Sequence, residues 1–221
     1  EGRNECAPTL YYNVATPIGQ SALMVQSRGP ARIGVVGQGS GVMAAYKRPV
    51  DRMTFFEIDP MVDALSRDPQ WFTFISKCAE GTIDTVLGDA RLTLARQPAG
   101  SYDLLIIDAF SSDAVPTHLL TEEAIAGYLA LLKPDGVVLL HVSNRNLDIT
   151  RPAIAAAQAL GKPSLHQIYY EKSGTADMAE ASTEAVVLSP SEAGLADFRA
   201  DTRWRTPNPT TVRPWTDDYV N

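Results

Sequence analysis

The sequence predicts a doubly wound α/β fold, in which helices cover both faces of one mostly parallel sheet. Short apolar runs rich in β-branched and aromatic residues, typical of strands buried on both faces, recur along the chain. Helix-like segments separate these runs, and such strand–helix–strand alternation is typical of a parallel sheet. The 221 residues are enough for one large domain with a full core.

Seven strands and four main helices follow from these patterns. The run at 102–109 is the most apolar and is expected at the sheet centre. Strands are predicted at 33–36, 53–58, 82–87, 102–109 and 137–142, with a closing antiparallel pair at 165–170 and 184–188. Helices are predicted at 42–47, 61–66, 121–132 and 149–160.

A glycine turn follows the strand at 33–36 and carries the clearest functional signal. Gly37, Gly39 and Gly41 stand at alternate positions. Glycine allows positive φ and lets the backbone approach a ligand that a Cβ would exclude. The helix predicted at 42–47 would point its free N–H groups and positive dipole end at that ligand.

An acidic residue completes this first strand–helix–strand unit. Glu57 stands at the end of the strand at 53–58, where nucleotide-binding folds place a carboxylate that accepts hydrogen bonds from ribose hydroxyls. The spacing is G-x-G-x-G, not the G-x-G-x-x-G of the dinucleotide fingerprint. The unit therefore predicts a site for one nucleoside, with a purely structural role as the alternative.

Two later strands also end on carboxylates. Asp89 follows the strand at 82–87 and could accept the exocyclic N–H of adenine, cap the helix that starts at Ala90, or do both. Asp108 follows four apolar positions, at the strand end where open α/β sheets place their chemistry. We expect Asp108 to be functional, the alternative being a structural loop hydrogen bond. His141 lies inside a predicted strand and is expected to be a core histidine rather than a base.

The ends of the chain give weaker signals. Residues 1–28 are predicted to form a short β cap, with strands at 10–13 and 21–26, ahead of a nucleoside-binding domain at 29–221. At the edge of this cap, near the glycine turn, either hairpin packing or substrate contact would explain Tyr11, Tyr12 and Gln20. Near the other end, two adjacent acids beside aromatic residues could bind a cation or belong to an exposed tail; they are Asp217 and Asp218.

Composition narrows the choice of partner. The net charge is −7 and no basic run occurs, so nucleic acid and anionic membranes are poor partners, whereas a cationic small molecule suits this surface. Cys6 and Cys78 form no metal-ligand pattern and decide nothing about redox compartment. No apolar run approaches the roughly 18 residues of a membrane span, and no signal-peptide pattern is present. We therefore expect a cytoplasmic location.

With these residues in view, the chain resembles the spermidine synthase-like branch of the class I S-adenosylmethionine-dependent fold. It is most similar to the soluble domain fused to transporter-like membrane segments in bacterial proteins called spermidine synthases. The resemblance rests on VVGQGSG, FFEIDP, LGDARLTLA, YDLLIIDAFSSDAVPTHLLTEEA and LKPDGVVLLHVSN in family order, with TDDY near the end. It implies a seven-stranded, Rossmann-like sheet of the class I methyltransferase type.

The resemblance also implies roles for particular residues. The glycine turn would hold the methionine part of decarboxylated S-adenosylmethionine or of S-adenosylmethionine itself, with no metal. The cofactor-binding residues would be Gly37, Gln38, Gly39, Ser40, Gly41, Glu57 (ribose), Asp89 (adenine) and Ala90. Asp108 would be the catalytic aspartate. The substrate-binding residues would be Tyr12, Gln20, Asp113, Asp217 and Asp218.

Two departures from the family keep three functions open. Classical members carry an aspartate where this chain has Ser40, and their longer N-terminal β domain is mostly absent. The leading hypothesis is aminopropyl transfer to a small cationic amine. Methyl transfer is the first alternative, because Ser40 would not repel the carboxylate of the ordinary cofactor. A non-catalytic sensor domain for the nucleoside or a polyamine is the second. We further expect a homodimer, with membrane segments fused to or associated with this domain.

Overall fold

The computed structural model describes residues 5–108, 117–144, 147–172 and 179–220. A seven-stranded sheet forms its centre. The strands are β1 (Arg32–Val36), β2 (Arg52–Glu57), β3 (Asp84–Leu87), β4 (Tyr102–Ile107), β5 (Leu132–His141), β6 (Ser164–Tyr169) and β7 (Thr183–Leu188). The helices are α1 (Pro17–Ser27), α2 (Pro60–Arg67), α3 (Ala90–Leu94), α4 (Glu122–Leu131), α5 (Thr150–Ala159) and α6 (Ala196–Ala200).

The strand order is β3-β2-β1-β4-β5-β7-β6, which confirms the predicted mostly parallel sheet. β1 lies between β2 and β4 and is parallel to both, so that Val36 pairs with Phe56 on one side and Ile107 on the other. β7 runs antiparallel to β5 and β6, which confirms the closing pair. The carboxyl ends of β1 to β5 therefore meet at one edge of the sheet, where the sequence places its carboxylates.

The core has two layers, one on each face of the sheet. Successive side chains of a strand point to opposite faces, so β1 and β4 supply both layers. One layer joins α1 to the sheet through Ile18, Ala22, Val25, Ile33, Val35, Leu104 and Ile106. The other joins α4 and α5 to the sheet through Ile125, Tyr128, Ala153, Ala157, Val36, Leu105 and Ile107. Burial on both faces explains why β1 and β4 are apolar without alternation.

The predicted N-terminal β cap is wrong. Leu10–Tyr12 is a single turn of 3-10 helix, and the segment predicted as the second strand of the cap lies in α1. Pro17 occupies the first helical position, where its fixed φ and missing N–H are favourable. Ile18, Ala22 and Val25 recur at helical spacing, so burying them against the sheet requires a helix. Residues 5–28 thus contribute a helix to the main layer structure.

β5 begins earlier than predicted, because Leu132 already pairs with Tyr102. The register then shifts, and regular pairing resumes at Val137 opposite Leu104. This irregularity lets the strand pass through Pro134, which has no N–H to give to a ladder. The helix predicted after the glycine turn is a 3-10 helix, Val42–Tyr46.

A disulfide joins Cys6 to Cys78, with their Cα atoms 5.3 Å apart. Cys78 ends a π-helical turn, Phe74–Cys78, that packs against the 3-10 helix after the glycine turn. The disulfide therefore fastens the N-terminal segment beside the glycine turn. The sequence offers no local pattern for this bond, because its two cysteines lie 72 residues apart. Within the described ranges, no helix is both long and apolar enough to cross a bilayer.

Candidate active site

A cavity of about 520 Å³ opens at the carboxyl ends of β1, β2 and β4. Backbone of the glycine turn and apolar side chains form part of its wall, including Gly37, Gly39, Val36 and Phe56. Its polar lining consists of Tyr11, Tyr12, Glu57, Asp59, Asp89, Asp108 and His118. The cavity thus brings together the glycine turn and the three carboxylates that the sequence places at strand ends.

Glu57 is held beside the glycine turn by three backbone N–H groups. Its Oε2 accepts from the N–H of Gln38 at 2.9 Å, and its Oε1 accepts from Ile58 at 2.9 Å and Asp59 at 3.0 Å. A carboxylate has about four acceptor positions, so room remains for one more donor. Because the side chain is buried and lines the cavity, that donor could be a ribose hydroxyl.

The glycine turn requires glycine for its backbone conformation. Gly37, Gly39 and Gly41 have φ values of 91°, 51° and 79°, all in the region that side chains disfavour. A Cβ at Gly41 would also lie 2.7 Å from Ile75. The Gln38 side chain turns away from the cavity and donates to Asp63 and Ser66 of α2. The turn therefore offers backbone, not side chains, to a ligand.

Asp89 fills one of the two roles that the sequence left open at its position. Its Oδ1 accepts from the N–H of Leu92 at 3.2 Å, so it is the N-cap of α3. Its Oδ2 lies 3.5 Å from Nε2 of His118, and both side chains line the cavity. The N-cap role is confirmed, and the adenine contact stays a prediction. Ala90 begins α3 and lines the same wall.

Asp108 belongs to the polar lining of the cavity. Its backbone N–H donates to the carbonyl of Val36, which places the side chain above the end of β1. Tyr12 donates its hydroxyl to Oδ2 at 2.6 Å, and Nδ1 of His141 lies 2.6 Å from Oδ1. Only 8% of the residue is exposed. Asp108 is therefore a buried carboxylate with a partner on each oxygen and an opening to the cavity.

His141 is more than the core histidine that the sequence predicts. Its burial is confirmed, at 5% exposed, but its partner is the candidate catalytic carboxylate. A signal was present in the sequence. β4 and β5 are parallel neighbours with Ile107 opposite Leu140, so the next residue of each strand, Asp108 and His141, must also be neighbours. Aligning the two predicted strands in parallel, with their carboxyl ends side by side, would have predicted the contact between Asp108 and His141.

The tyrosine pair is fixed by the short turn that precedes α1. The rings of Tyr11 and Tyr12 have centroids 4.5 Å apart, and Tyr11 lies 5.2 Å from the ring of His141. Thr16 donates its hydroxyl to the carbonyl of Tyr11 at 2.6 Å, and Tyr46 donates to the carbonyl of Tyr12. These bonds hold the backbone so that the Tyr12 hydroxyl reaches Asp108.

We expect the Tyr12 phenol to stay protonated across the usual alkaline titration of tyrosine. Burial and then the charge of Asp108 raise the pKa of Tyr12 well above its ordinary value of 10.0. A raised pKa contributes stability that is complete below about pH 10 and is lost as pH rises through the folded value. Ultraviolet absorbance titration of native Tyr12→Phe should therefore match the wild type near pH 10.

A curve for Tyr12→Phe that loses one phenol near pH 10, relative to the wild type, would contradict the prediction.

Several predicted site residues are not among those that the structure places in the cavity lining. Gln20 is buried in α1 and donates to the carbonyl of Ala15. Asp113 lies outside the described residues. Five further predicted residues also do not belong to the cavity lining: Gln38, Ser40, Gly41, Asp217 and Asp218.

Asp217 ties the C-terminal segment to the helices beside the cavity. Arg91 donates from Nη1 to Oδ1 at 2.5 Å and from Nη2 to Oδ2 at 2.9 Å, and Thr121 donates to Oδ1 at 2.8 Å. The hydrogen bonds from Arg91 and then Thr121 lower the pKa of Asp217. The charge of this carboxylate is thus already neutralised by a guanidinium.

We accordingly expect Asp217→Asn to affect stability rather than substrate binding. Because the pair is exposed, the loss should be under about 1 kcal/mol, measured by denaturant unfolding. The KM for an amine substrate should not change. Asp218→Asn, an exposed neighbour, is the control. A selective rise in the amine KM for Asp217→Asn would restore this residue as a substrate contact.

Comparison with known proteins shows similarity both to aminopropyltransferases and to methyltransferases. No family model matches the chain. The chain is 30% identical over 115 residues to the polyamine aminopropyltransferase of Vibrio vulnificus (strain CMCP6). That match covers 50% of this chain and 37% of the relative, so the chain spans little more than a third of the curated relative's length.

Solved structures share the fold. Spermidine synthase from Thermotoga maritima superposes with a TM-score of 0.58 at 16% identity, covering 80% of this chain and 59% of that one. Spermidine synthase in complex with the transition state analogue AdoDATO gives 0.57 at 17%, covering 80% and 59%. Human methyltransferase-like protein 13 in complex with SAH gives 0.56 at 19%, covering 91% and 94%. The resemblance to the spermidine synthase-like family and the class I methyltransferase type of sheet are confirmed.

Proposed function

We propose that this chain, which is similar to spermidine synthase-like proteins and has their sheet, transfers an aminopropyl group from decarboxylated S-adenosylmethionine to a polyamine or related amine. The observation that carries the proposal is Asp108, a buried carboxylate held by Tyr12 and His141 at the wall of the cavity. The curated relative, a polyamine aminopropyltransferase, supports the choice of reaction. The net charge of −7 suits a cationic acceptor.

The residues along the cavity fit a nucleoside co-substrate. Glu57 is fixed for a ribose hydroxyl, and Asp89 lies on the next strand end for the exocyclic N–H of adenine. The backbone of Gly37 and Gly39 would face the rest of the molecule. When bound, the co-substrate supplies a sulfonium, which makes the carbon beside it open to nucleophilic attack.

Asp108 would prepare the amine for that attack. An alkylammonium has a pKa near 10.4 and is mostly protonated at neutral pH, so it must first lose a proton. Asp108 can accept that proton and orient the nitrogen lone pair. The new C–N bond forms as the C–S bond breaks, and sulfur keeps the electron pair of the broken bond. The product is a secondary ammonium that keeps its remaining protons at neutral pH, and Asp108 releases the proton that it accepted to solvent.

Methyl transfer from S-adenosylmethionine is the second candidate. The match to human methyltransferase-like protein 13 covers 94% of that chain, whereas the match to the spermidine synthases covers 59% of theirs. Ser40 also stands where aminopropyltransferases have an acid, which removes a repulsion against a cofactor carboxylate. The substitution chemistry is the same, and only the attacked carbon differs.

A by-product assay tests the proposal. The protein is incubated with either form of the co-substrate and a panel of amines, and the released nucleoside is identified by mass spectrometry. Methylthioadenosine, released only when amine is present, is the expected result. S-adenosylhomocysteine would overturn aminopropyl transfer in favour of methyl transfer. Neither product, with co-substrate binding retained in calorimetry, would overturn both and favour the sensor hypothesis.

Homodimer formation, fusion to membrane segments and a cytoplasmic location stay predictions. The disulfide between Cys6 and Cys78 counts against the last of these, because structural disulfides are rare in cytosolic proteins.

A further inference from the structure

A chain of hydrogen bonds continues from Asp108 away from the cavity. His141 places Nδ1 2.6 Å from Oδ1 of Asp108 and Nε2 2.8 Å from Oγ of Ser143. The same Oγ accepts from the backbone N–H of Glu184 at 2.7 Å. The side chains of Asp108 and His141 are 3% and 6% exposed. This chain of hydrogen bonds is therefore largely shielded from water.

We infer that His141 is a positioning residue for Asp108, and that Ser143 selects the imidazole tautomer that does this. The hydrogen bonds among Asp108, His141 and Ser143 do not depend on which reaction the protein catalyses. The consequence for turnover rests on the proposed function.

Counting donors and acceptors fixes the tautomer. An ionised carboxylate only accepts, so Nδ1 of a neutral His141 must carry the proton that lies toward Asp108. Nε2 is then an acceptor and needs a donor. Ser143 has one hydroxyl proton, and its other acceptor, the carbonyl of Glu184, is 3.4 Å away, at the edge of hydrogen-bonding distance. The hydroxyl proton therefore goes to Nε2, and the N–H of Glu184 fills the remaining site on Oγ.

This arrangement matters because Asp108 must hold one orientation. With His141 on Oδ1 and Tyr12 on Oδ2, the carboxylate cannot rotate without breaking a buried bond. In the other tautomer, the lone pair of Nδ1 would face the carboxylate, so the bond would be replaced by a repulsion. A misplaced base loses the alignment on which substitution depends.

The order of contacts, Ser143–His141–Asp108, also occurs in hydrolases whose serine is a nucleophile. Here Asp108, not the serine, lines the cavity. The serine Oγ is already engaged by His141 and the N–H of Glu184. The arrangement therefore orients the carboxylate of Asp108.

Two substitutions at His141 separate positioning from packing. His141→Asn puts a side-chain N–H donor at the place of Nδ1, whereas His141→Leu fills the space without a donor. We expect His141→Leu to lower kcat by about 10²-fold with the KM for the co-substrate unchanged, and His141→Asn to recover most of that loss. Thermal unfolding of both variants establishes that they fold. Equal losses in the two, or full kcat in His141→Leu, would overturn the inference.

A spectroscopic measurement keeps the inference testable if the proposed reaction fails. Long-range proton–nitrogen NMR spectra of the imidazole, assigned by loss of the signals in His141→Asn, report which nitrogen carries the proton. We expect the Nδ1–H tautomer in the wild type, and a measurable fraction of the Nε2–H tautomer in Ser143→Ala. A wild-type Nε2–H tautomer, or no change in Ser143→Ala, would overturn the role of Ser143. Absence of turnover with a confirmed Nδ1–H tautomer would reject the proposed function alone.

Discussion

Asp108→Asn is expected to lower turnover by about 10²- to 10⁴-fold, the usual range for loss of a general base. An amide cannot take up the amine proton at neutral pH. Affinity for the co-substrate should be retained, because Glu57 ends β2 and Asp89 follows β3, so neither depends on Asp108 for its position. Asparagine has nearly the shape of aspartate and still offers an oxygen to one of the two donors, so the fold should persist.

The measurement is single-turnover release of the nucleoside, with co-substrate affinity from calorimetry. Asp84→Asn is the matched control, since Asp84 is an exposed aspartate at the start of β3 and lies outside the cavity lining. Control activity should equal that of the wild type. Full activity in Asp108→Asn would show that another group removes the proton. Loss of co-substrate affinity along with activity would instead give Asp108 a binding role.

Removing the disulfide should be the largest single change in stability. Closing a loop of 72 residues lowers the entropy of the unfolded chain by an amount worth about 4 kcal/mol in the chain-entropy model. Denaturant unfolding of Cys6→Ser/Cys78→Ser should shift to lower concentration by a corresponding amount. The cross-link also anchors the segment that carries Tyr12, so turnover should fall before the global fold is lost.

Reductant supplies the control for this experiment. It should shift the wild type toward the double variant and leave the double variant unchanged. An unfolding midpoint of the wild type that does not respond to a reductant able to open the bond would contradict the prediction.

The sheet could be predicted from sequence because its strands are buried on both faces. Segments such as Arg32–Val36 and Tyr102–Ile107 are apolar at nearly every position, a pattern that few other elements share. The N-terminal helix was missed because Thr16 and Pro17 resemble a turn, and because the helical spacing of Ile18, Ala22 and Val25 competed with short apolar runs that resemble strands. The local sequence pattern was ambiguous there, and packing against the sheet selected the helix.

The candidate site likewise contains residues that could be located from sequence and contacts that could not. The carboxylates at strand ends could be located from sequence, since parallel strands deliver their ends to one edge of the sheet. The bond from Tyr12 to Asp108 joins residues 96 positions apart, and no local pattern encodes it. Likewise, nothing in the sequence pairs Arg91 with Asp217, so the ion pair that holds the C-terminal segment could not be predicted. Partners that are distant in sequence needed the three-dimensional structure.

The strand order has a consequence for how the chain folds. β1, an inner strand of the sheet, pairs on one side with β4, whose Leu104 lies about 70 residues after Ile33. Contacts of such separation incur loop-closure entropy before they gain energy, and chains dominated by them fold in milliseconds to seconds. The cavity needs the carboxyl ends of both strands, so it cannot form in a nascent chain in which β4 has not yet been synthesised. Until then one edge of β1 is unpaired, and unpaired strand edges are prone to aggregation.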